Sequence, residues 1–181
     1  MTKSDKLVAS LLQRYSVTQP PVPIEKIATG EGAAIARNAF DGPQSGFALR
    51  SASGEKVIGV NAANSDLRQR FTIAHELGHL LLHEGDLILD YAVRTHFRGD
   101  NVRVNFRDHE SSLATNSEEI EANRFAAEIL MPRDMIFREA RKLLQAEDLS
   151  QAAFTKKLAD VFKVSAEAMG YRLVNLTILV P

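Results

Sequence analysis

The sequence predicts an α+β protein in which helices surround a small, mostly antiparallel sheet. An apolar stripe with helical spacing lies within residues 4–18, three short strand-like segments lie within residues 32–61, and helical patterns dominate from Asn64 onward. The 181 residues suffice for one ordinary domain, or for a small domain with an appendage. We expect a first unit over residues 1–132 and a helical segment over residues 133–181.

Composition and charge exclude several classes of protein. The formal net charge is -1, so no basic excess points to nucleic acid or to anionic membranes. Cysteine is absent, which excludes disulfides, thiolate metal sites and a cysteine nucleophile. The sequence has no apolar run of signal-peptide or membrane-span length, and we therefore expect a cytoplasmic protein.

The N-terminal third predicts two helices followed by three strands. The first helix ends before "QPPVP" (19–23), because consecutive prolines cannot continue a helix, and a short helix follows over 24–29. The segments "AAIARNAF", "GFALRS" and "KVIGVN" are typical of short strands. Between the last two, "SASGE" (51–55) predicts a hairpin turn.

A long helix then begins, with Asn64 or Ser65 as its N-cap, and it includes "FTIAHELGHLLLH" (71–83). Residues 84–117 have no sustained periodicity, and so long a connection in a compact domain is often functional. We interpret it as an irregular segment that forms one wall of a cleft. The residues of the long helix expected to be buried are Leu67, Phe71, Leu77 and Leu81.

The last third predicts helices throughout. "SEEIEANRFAAEILMP" is helical and ends where Pro132 constrains the residue before it. "PRDMIFREARKLLQAED" is a further amphipathic helix, and the tail predicts two short helices joined at 163–165. The tail pair has the order of a helix-turn-helix, but its second helix carries only one basic residue, Arg172. Contacts to DNA phosphates need more positive charge, so we do not expect direct DNA binding.

His75 and His79 frame an H-E-x-x-H motif on the long helix. Residues four apart on an α-helix differ by roughly 40° in direction and roughly 6 Å in height, so both rings can bind one metal ion. Glu76 lies beside this pair, where its carboxylate can reach a metal-bound water rather than the metal. Gly78 has no side chain, which lets another element or a ligand approach the helix closely.

The alternative interpretation is a core helix that merely tolerates histidines, because the motif alone is short. Leucines surround the motif, however, and two imidazoles and a carboxylate in apolar surroundings need buried partners. A metal ion bound by these side chains is such a partner. We therefore favour a metal site, which must be built from His, Asp or Glu.

A third ligand is expected from the next carboxylate-bearing helix, "EEIEANRFAAEIL", because hydrolytic zinc sites usually have three protein ligands. On a helical wheel Glu119 falls inside the apolar face of this helix, whereas Glu121 falls at its edge, toward Arg124 and Glu128. Glu119 is the predicted ligand and Glu121 the alternative. Glu118 also points inward, but Thr115-x-x-Glu118 can form a capping box, and Asn123 is placed to hydrogen-bond a ligand.

Other polar residues have a structural and a functional interpretation. His83 either adds to the site or, as we favour, interacts with the C-terminus of its helix. His96 and His109 lie in the irregular segment and are expected to be exposed. A hydrolase also needs a donor to stabilise the oxyanion. The sequence does not choose among the candidates Tyr91, His96, His109 and Tyr171.

Three segments together resemble the ImmA/IrrE family of metallo-endopeptidases. They are "RQRFTIAHELGHLLLH", "EIEANRFAAEILMP" and the closing "FKVSAEAMGYRLVNL", and the "GFALR…VIGVN" hairpin is similar to the family's lead-in to the metal helix. The resemblance extends from about residue 21 to residue 176. It implies a zincin-like minimal peptidase core followed by helices that in some members are similar to a helix-turn-helix.

The resemblance also implies roles for individual residues. His75, His79 and Glu119 would bind Zn²⁺, and Glu76 would act as the general base. Members of the family are similar to proteases that cleave helix-turn-helix repressors and thereby derepress mobile-element or stress-response genes. We expect no added sensor domain of the kind that some relatives carry.

Two alternatives stay open at the level of sequence. Mn²⁺ or Fe²⁺ can occupy the same ligands as Zn²⁺ when they are abundant. A zinc-stabilised regulator that binds a repressor or DNA without cleaving it would retain the same ligands, although it would have no need of Glu76.

Overall fold

The structure is a computed structural model. It describes residues 2–39, 44–51, 53–83, 92–98, 101–107, 114–146 and 148–179, and between residues 84 and 116 it describes backbone elements only. Among the described residues, no helix combines the length and the apolar character that crossing a membrane requires.

Two helices open the chain, as predicted. Helix α1, Lys3–Arg14, begins at a capping box in which the Thr2 hydroxyl accepts from the Asp5 amide and the Asp5 carboxylate accepts from the Thr2 amide. Helix α2 is Ile24–Gly30.

Three strands form the first sheet: β1 (Ala33–Asn38), β2 (Gly46–Arg50) and β3 (Lys56–Asn61). They lie in the order β1-β3-β2, and β2 and β3 form the predicted antiparallel hairpin. Strand β1 takes the other edge of β3 and runs parallel to it, so this sheet is mixed. Alternation along a strand does not specify the direction of its neighbour, which is why the parallel pair could not be predicted.

Helix α3, Asp66–Leu82, contains the histidine motif and begins at Ser65, whose hydroxyl accepts from the Arg68 amide at 3.4 Å. Of its residues expected to be buried, Leu77 is buried, but Leu67 is 38% exposed and Phe71 and Leu81 are only partly buried. The expectation for Leu67 was wrong because the first turn of α3 lies at the margin of the core, beside a cavity.

The C-terminal end of α3 is held by two cations from other elements. The Arg50 guanidinium of β2 donates to the Leu80 carbonyl at 2.5 Å, and the Lys3 ammonium of α1 donates to the Leu82 carbonyl at 2.9 Å. These carbonyls have no partner within the helix, and a positive charge there also complements the helix dipole. The sheet and α1 thus fix the end of the helix that carries the site.

A second, two-stranded antiparallel sheet lies in the segment that we interpreted as irregular. Its strands are β4 (Ala92–Arg98) and β5 (Asn101–Arg107). That interpretation was wrong for these residues, because apolar residues alternate with polar ones along β5, at Val102, Val104 and Phe106. The register places apolar positions opposite one another, with Val93 opposite Phe106 and Phe97 opposite Val102.

Four helices complete the chain, and all four were predicted. They are α4 (Ala114–Leu130), α5 (Arg133–Ala146), α6 (Gln151–Phe162) and α7 (Ala166–Asn175). The turn between α6 and α7 includes Lys163 in the left-handed region, and Ser165 caps α7. The fold is therefore the predicted α+β type, a compact zincin-like core with a helical segment.

The C-terminal helices contact the rest of the chain through two arginines. Arg70 of α3 donates to the Lys163 carbonyl at 3.2 Å, and Arg172 of α7 donates to the Met131 carbonyl at 3.1 Å. One apolar cluster extends from α1 to α7, and its largest fully buried members include Leu11, Ile58, Ile73, Phe125, Ile129 and Phe162.

Helices α3 and α4 pack closely at Gly78. A Cβ atom added to this glycine would lie 3.0 Å from Cδ1 of Phe125 and 3.3 Å from Cα of Ala122. Because Cα is a backbone atom of α4, the helices would have to separate slightly to accept a methyl group. The approach expected from the sequence is therefore confirmed, and the approaching element is α4.

We predict that Gly78→Ala destabilises the fold. Alanine favours a helix interior over glycine by about 0.5–1 kcal/mol, but overpacking costs about 1–3 kcal/mol, so we expect a net loss of about 1 kcal/mol. Gly170→Ala in α7 is the matched control, because a Cβ there meets only Thr155 Cγ2, at 3.9 Å. It should stabilise the fold by about 0.5–1 kcal/mol in urea denaturation. Equal stabilisation by both substitutions would contradict the close-packing argument.

Candidate metal centre

The side chains of His75, His79 and Glu119 meet at one point between α3 and α4. The two Nε2 atoms lie 3.1 Å apart, and the Glu119 oxygens lie 3.2 Å from His75 Nε2 and 2.9 Å from His79 Nε2. Both histidines are buried, and Glu119 is partly buried. The structure thus brings together the two motif histidines and the carboxylate that the helical wheel selected.

This triangle has the dimensions of a metal site. Two ligand atoms at about 2.0–2.1 Å from a tetrahedral zinc ion lie about 3.3 Å from each other, close to the spacings found here. Among the described residues, this is the one group of three or more His, Asp or Glu side chains whose ligand atoms lie within 4.8 Å of one another. The group suggests a metal ion. Two imidazoles and a carboxylate suit Zn²⁺ and accommodate Mn²⁺ or Fe²⁺ as well.

Glu119 is held as a carboxylate. Burial raises its pKa, but hydrogen bonds from His75 and His79 and the charges on these rings outweigh burial and lower the pKa from 4.5 to about 2. The side chain is therefore ionised at neutral pH, which is the state that binds a cation.

Glu121, the alternative ligand, lies elsewhere. Residues two apart on a helix point in directions about 200° apart, so Glu119 and Glu121 cannot reach the same point. Glu121 Oε2 lies 3.2 Å from His83 Nε2. Arg124, toward which Glu121 falls on the helical wheel, binds Asp5 of α1 instead, at 3.1 Å.

His83 has both a structural and a site-related position. It is the C-cap residue of α3, where its amide donates to the His79 carbonyl at 3.1 Å. Its ring, however, is buried, and its Nδ1 lies 3.2 Å from His79 Nδ1. Sequence reasoning favoured only the first role. The i, i+4 spacing from His79 was the available signal for the second.

Glu76 borders the same cavity as the metal-binding group. The cavity has a volume of about 340 Å³ and is lined by His75, Glu76 and Glu119 on one side and by Gly46 of β2 on another. A Cβ at Gly46 would collide with Thr72 of α3, so a larger residue there would push the edge of the sheet away from the site. The cavity is therefore lined by the buried carboxylate of Glu76 and by two of the three candidate ligands, His75 and Glu119.

A second cavity of about 680 Å³ adjoins the first. The two share Arg68, Phe71 and Asn123 as lining residues, so they lie side by side. Leu67 and Tyr171, which are 38% and 68% exposed, also line the second cavity. Exposed apolar side chains beside a reactive centre are typical of a surface that binds a ligand.

Several residues singled out in the sequence are not part of this geometry. The side chains of Tyr91, His96, His109 and Thr115 lie outside the described residues. Three of these, Tyr91, His96 and His109, were candidates for the oxyanion donor, and no donor is assigned. Asn123 lines both cavities, as noted above, which places it beside Glu119.

Comparison with known proteins assigns the family. Residues 35–174 match the peptidase family described as the IrrE N-terminal-like domain, which is well over half of the 181 residues. The chain belongs to this family. No curated relative matches the sequence.

The fold of this IrrE-like chain recurs in a solved structure. A Mycobacterium tuberculosis transcriptional regulator is similar to it with a TM-score of 0.57 and 16% sequence identity, over 96% of this chain and 47% of that chain. The chain spans about half the length of that regulator. At this identity the likeness shows a common fold alone.

Membership in the IrrE-like family points to a peptidase, and the triangle of ligands is where such an enzyme would hold its metal. The match covers α3, α4 and all but the last residue of α7, so the first cavity and nearly all of the second lie within the family region. Our expectation of an ImmA/IrrE relative is confirmed.

We predict that Glu119→Ala weakens zinc binding by more than about 100-fold. Loss of residues that only support a ligand costs about 10–100-fold, and loss of a ligand should exceed this range. Competition with a chromophoric chelator measures the affinity. Glu118→Ala, which removes the same charge from the same helix, should bind zinc within about twofold of the parent. Equal affinities in all three proteins would exclude Glu119 as a ligand.

Proposed function

We propose that this chain is a cytoplasmic, zinc-dependent endopeptidase that cleaves a helix-turn-helix transcriptional repressor. The observation that carries the proposal is the meeting of His75, His79 and Glu119 beside a cavity that is lined by His75, Glu119 and Glu76, within a peptidase family. Three protein ligands leave a fourth position for water or substrate, which is the arrangement of catalytic zinc sites.

Glu76 is the general base in this proposal. Zinc in such a site lowers the pKa of water toward about 7 and polarises the scissile carbonyl. Glu76 accepts the proton of the attacking water and then delivers it to the leaving amine, so one carboxylate serves as base and then as acid. Its neighbour in sequence, His75, would hold the metal, and this adjacency would keep the Glu76 carboxylate beside the attacking water without making it a ligand.

A polypeptide substrate fits the surroundings of the site. Among the described strands β2 is an edge strand, and its Gly46 borders the catalytic cavity. An extended peptide can pair with such an edge through main-chain hydrogen bonds. The adjoining cavity, with Leu67 and Tyr171 at its walls, offers space for apolar side chains that flank the scissile bond.

The proposed effect on transcription is indirect, through the repressor rather than through DNA. In α7, the second helix of the helix-turn-helix-like pair, the basic residue Arg172 binds Glu128 at 2.5 Å and the Met131 carbonyl. An arginine used to attach α7 to α4 is not available for phosphate contacts. Cleavage of a repressor would derepress the mobile-element or stress-response genes that it controls.

The second candidate is a zinc-stabilised regulator without protease activity. The likeness to a protein named as a transcriptional regulator favours it. Structural zinc sites, however, usually have four protein ligands, whereas three side chains converge among the residues that the structure describes. A buried Glu76 beside the ligands also has no purpose in a purely structural site.

The experiment that tests the proposal uses the metal-loaded full chain and the helix-turn-helix repressor encoded nearest to its gene. Fragments are identified by mass spectrometry, and a chelator-treated sample is run beside the loaded one. One discrete cut that is lost after chelation is the expected result. Stable binding of the intact repressor by metal-loaded protein would instead support the regulator.

We predict that Glu76→Gln abolishes cleavage and retains the metal. The amide keeps the shape of the side chain but cannot accept the proton, and general acid–base groups contribute about 10²–10⁴-fold to the rate. His79→Ala should lose both cleavage and metal, because it removes a ligand. Rates come from the same fragment assay and metal content from elemental analysis. Normal cleavage by Glu76→Gln would exclude Glu76 as the general base.

A further inference from the structure

We propose that His83 and Glu121 are positioning residues that fix the ring of His79 for metal binding. This inference rests on the proposed function and extends it beyond the three ligands. A continuous chain of contacts runs from His79 Nδ1 to His83 Nδ1 over 3.2 Å, and from His83 Nε2 to Glu121 Oε2 over 3.2 Å. Glu121 therefore has a role different from the ligand role considered for it in the sequence.

The positions of the protons follow from the chemistry of imidazole. His79 presents Nε2 to the metal position, as its 2.9 Å distance to Glu119 Oε1 indicates. A nitrogen that binds a metal carries no proton, so the proton of the neutral His79 ring is on Nδ1. This N–H can donate only if His83 Nδ1 accepts, which places the proton of His83 on Nε2, where it donates to Glu121.

One arrangement of protons thus satisfies both contacts. Each imidazole uses one nitrogen as a donor and the other as an acceptor, and the chain ends at a carboxylate that only accepts. Partners of this kind fix the tautomer and the orientation of a metal-binding histidine and raise its basicity. Because the Glu121 carboxylate can only accept, both hydrogen bonds must be donated in the direction from His79 toward Glu121.

The geometry excludes His83 as a fourth ligand in this arrangement. His83 Nδ1 lies 3.2 Å from Nδ1 of His79, the ring nitrogen that does not face the other two candidate ligands, and His83 is not in the group whose ligand atoms converge. The rings of His79 and His83 are both buried, with 1% and 8% exposed, so water cannot readily replace either contact. The Glu121 side chain is 55% exposed, so it can be substituted without disturbing the core.

The test compares the zinc affinity of full-chain variants by chelator competition. Glu121→Ala and His83→Leu should each weaken zinc binding by about 10–100-fold, the range for loss of such partners. Glu121→Gln, whose amide oxygen still accepts from His83, should lose less. Glu118→Ala is the charge-matched control and should leave the affinity within about twofold.

Two further readouts distinguish positioning from a general structural effect. The visible spectrum of the Co²⁺-loaded protein should change in Glu121→Ala, while the melting temperature of its metal-free form should stay within about 2 °C of the parent. The double variant His83→Leu/Glu121→Ala should bind zinc no more weakly than His83→Leu alone, because both act through one chain of contacts.

An unchanged zinc affinity in both Glu121→Ala and His83→Leu, together with an unchanged Co²⁺ spectrum, would overturn this inference. In that case zinc binding and cleavage by the parent protein would still support the proposed function. Failure of the parent to bind zinc would overturn both.

Discussion

The close contact between α3 and α4 at Gly78 is the constraint on which the rest of the site depends. His75 and His79 come from α3, whereas Glu119 comes from α4, so the ligand triangle forms only if the two helices approach closely. The absence of a side chain at Gly78 allows this approach, because the Cα of Ala122 and the ring of Phe125 occupy the space that a Cβ would need. Any metal binding by this triangle would therefore depend on how the two helices pack.

The remaining elements hold α3 in place at both ends. Ser65 caps its first turn, and Arg50 and Lys3 satisfy the carbonyls of its last turn. Arg50 belongs to β2, the strand that also borders the cavity lined by His75, Glu76 and Glu119, through Gly46. The sheet therefore does more than cover the helix: it fixes the end of α3 and forms one wall of the cavity.

Much of the candidate site could be predicted because it depends on regular helix geometry. The spacing of His75 and His79 and the wheel position of Glu119 follow from 3.6 residues per turn, and the structure brings these three side chains together. What the sequence did not indicate depends on tertiary packing. The contact of Glu121 with His83 requires knowing how α4 crosses the end of α3, and no single-helix pattern contains that information.

The expectations about the fold that were wrong also have physical reasons. Strands β4 and β5 were interpreted as irregular because Gly, Asp, Arg and Asn dominate their surroundings, although a two-residue alternation was present. Leu67 was expected in the core because its spacing fits the apolar stripe of α3, but the stripe continues past the end of the core and lines a cavity instead. An amphipathic pattern specifies a face and not what covers it.

The measurement that tests the central claim most directly is anomalous diffraction at the zinc absorption edge from crystals of the zinc-loaded chain. The account predicts one peak at about 2.0–2.1 Å from Nε2 of His75, Nε2 of His79 and a Glu119 oxygen, with no fourth protein ligand. A peak bound by four protein side chains, or one that lacks Glu119, would contradict it.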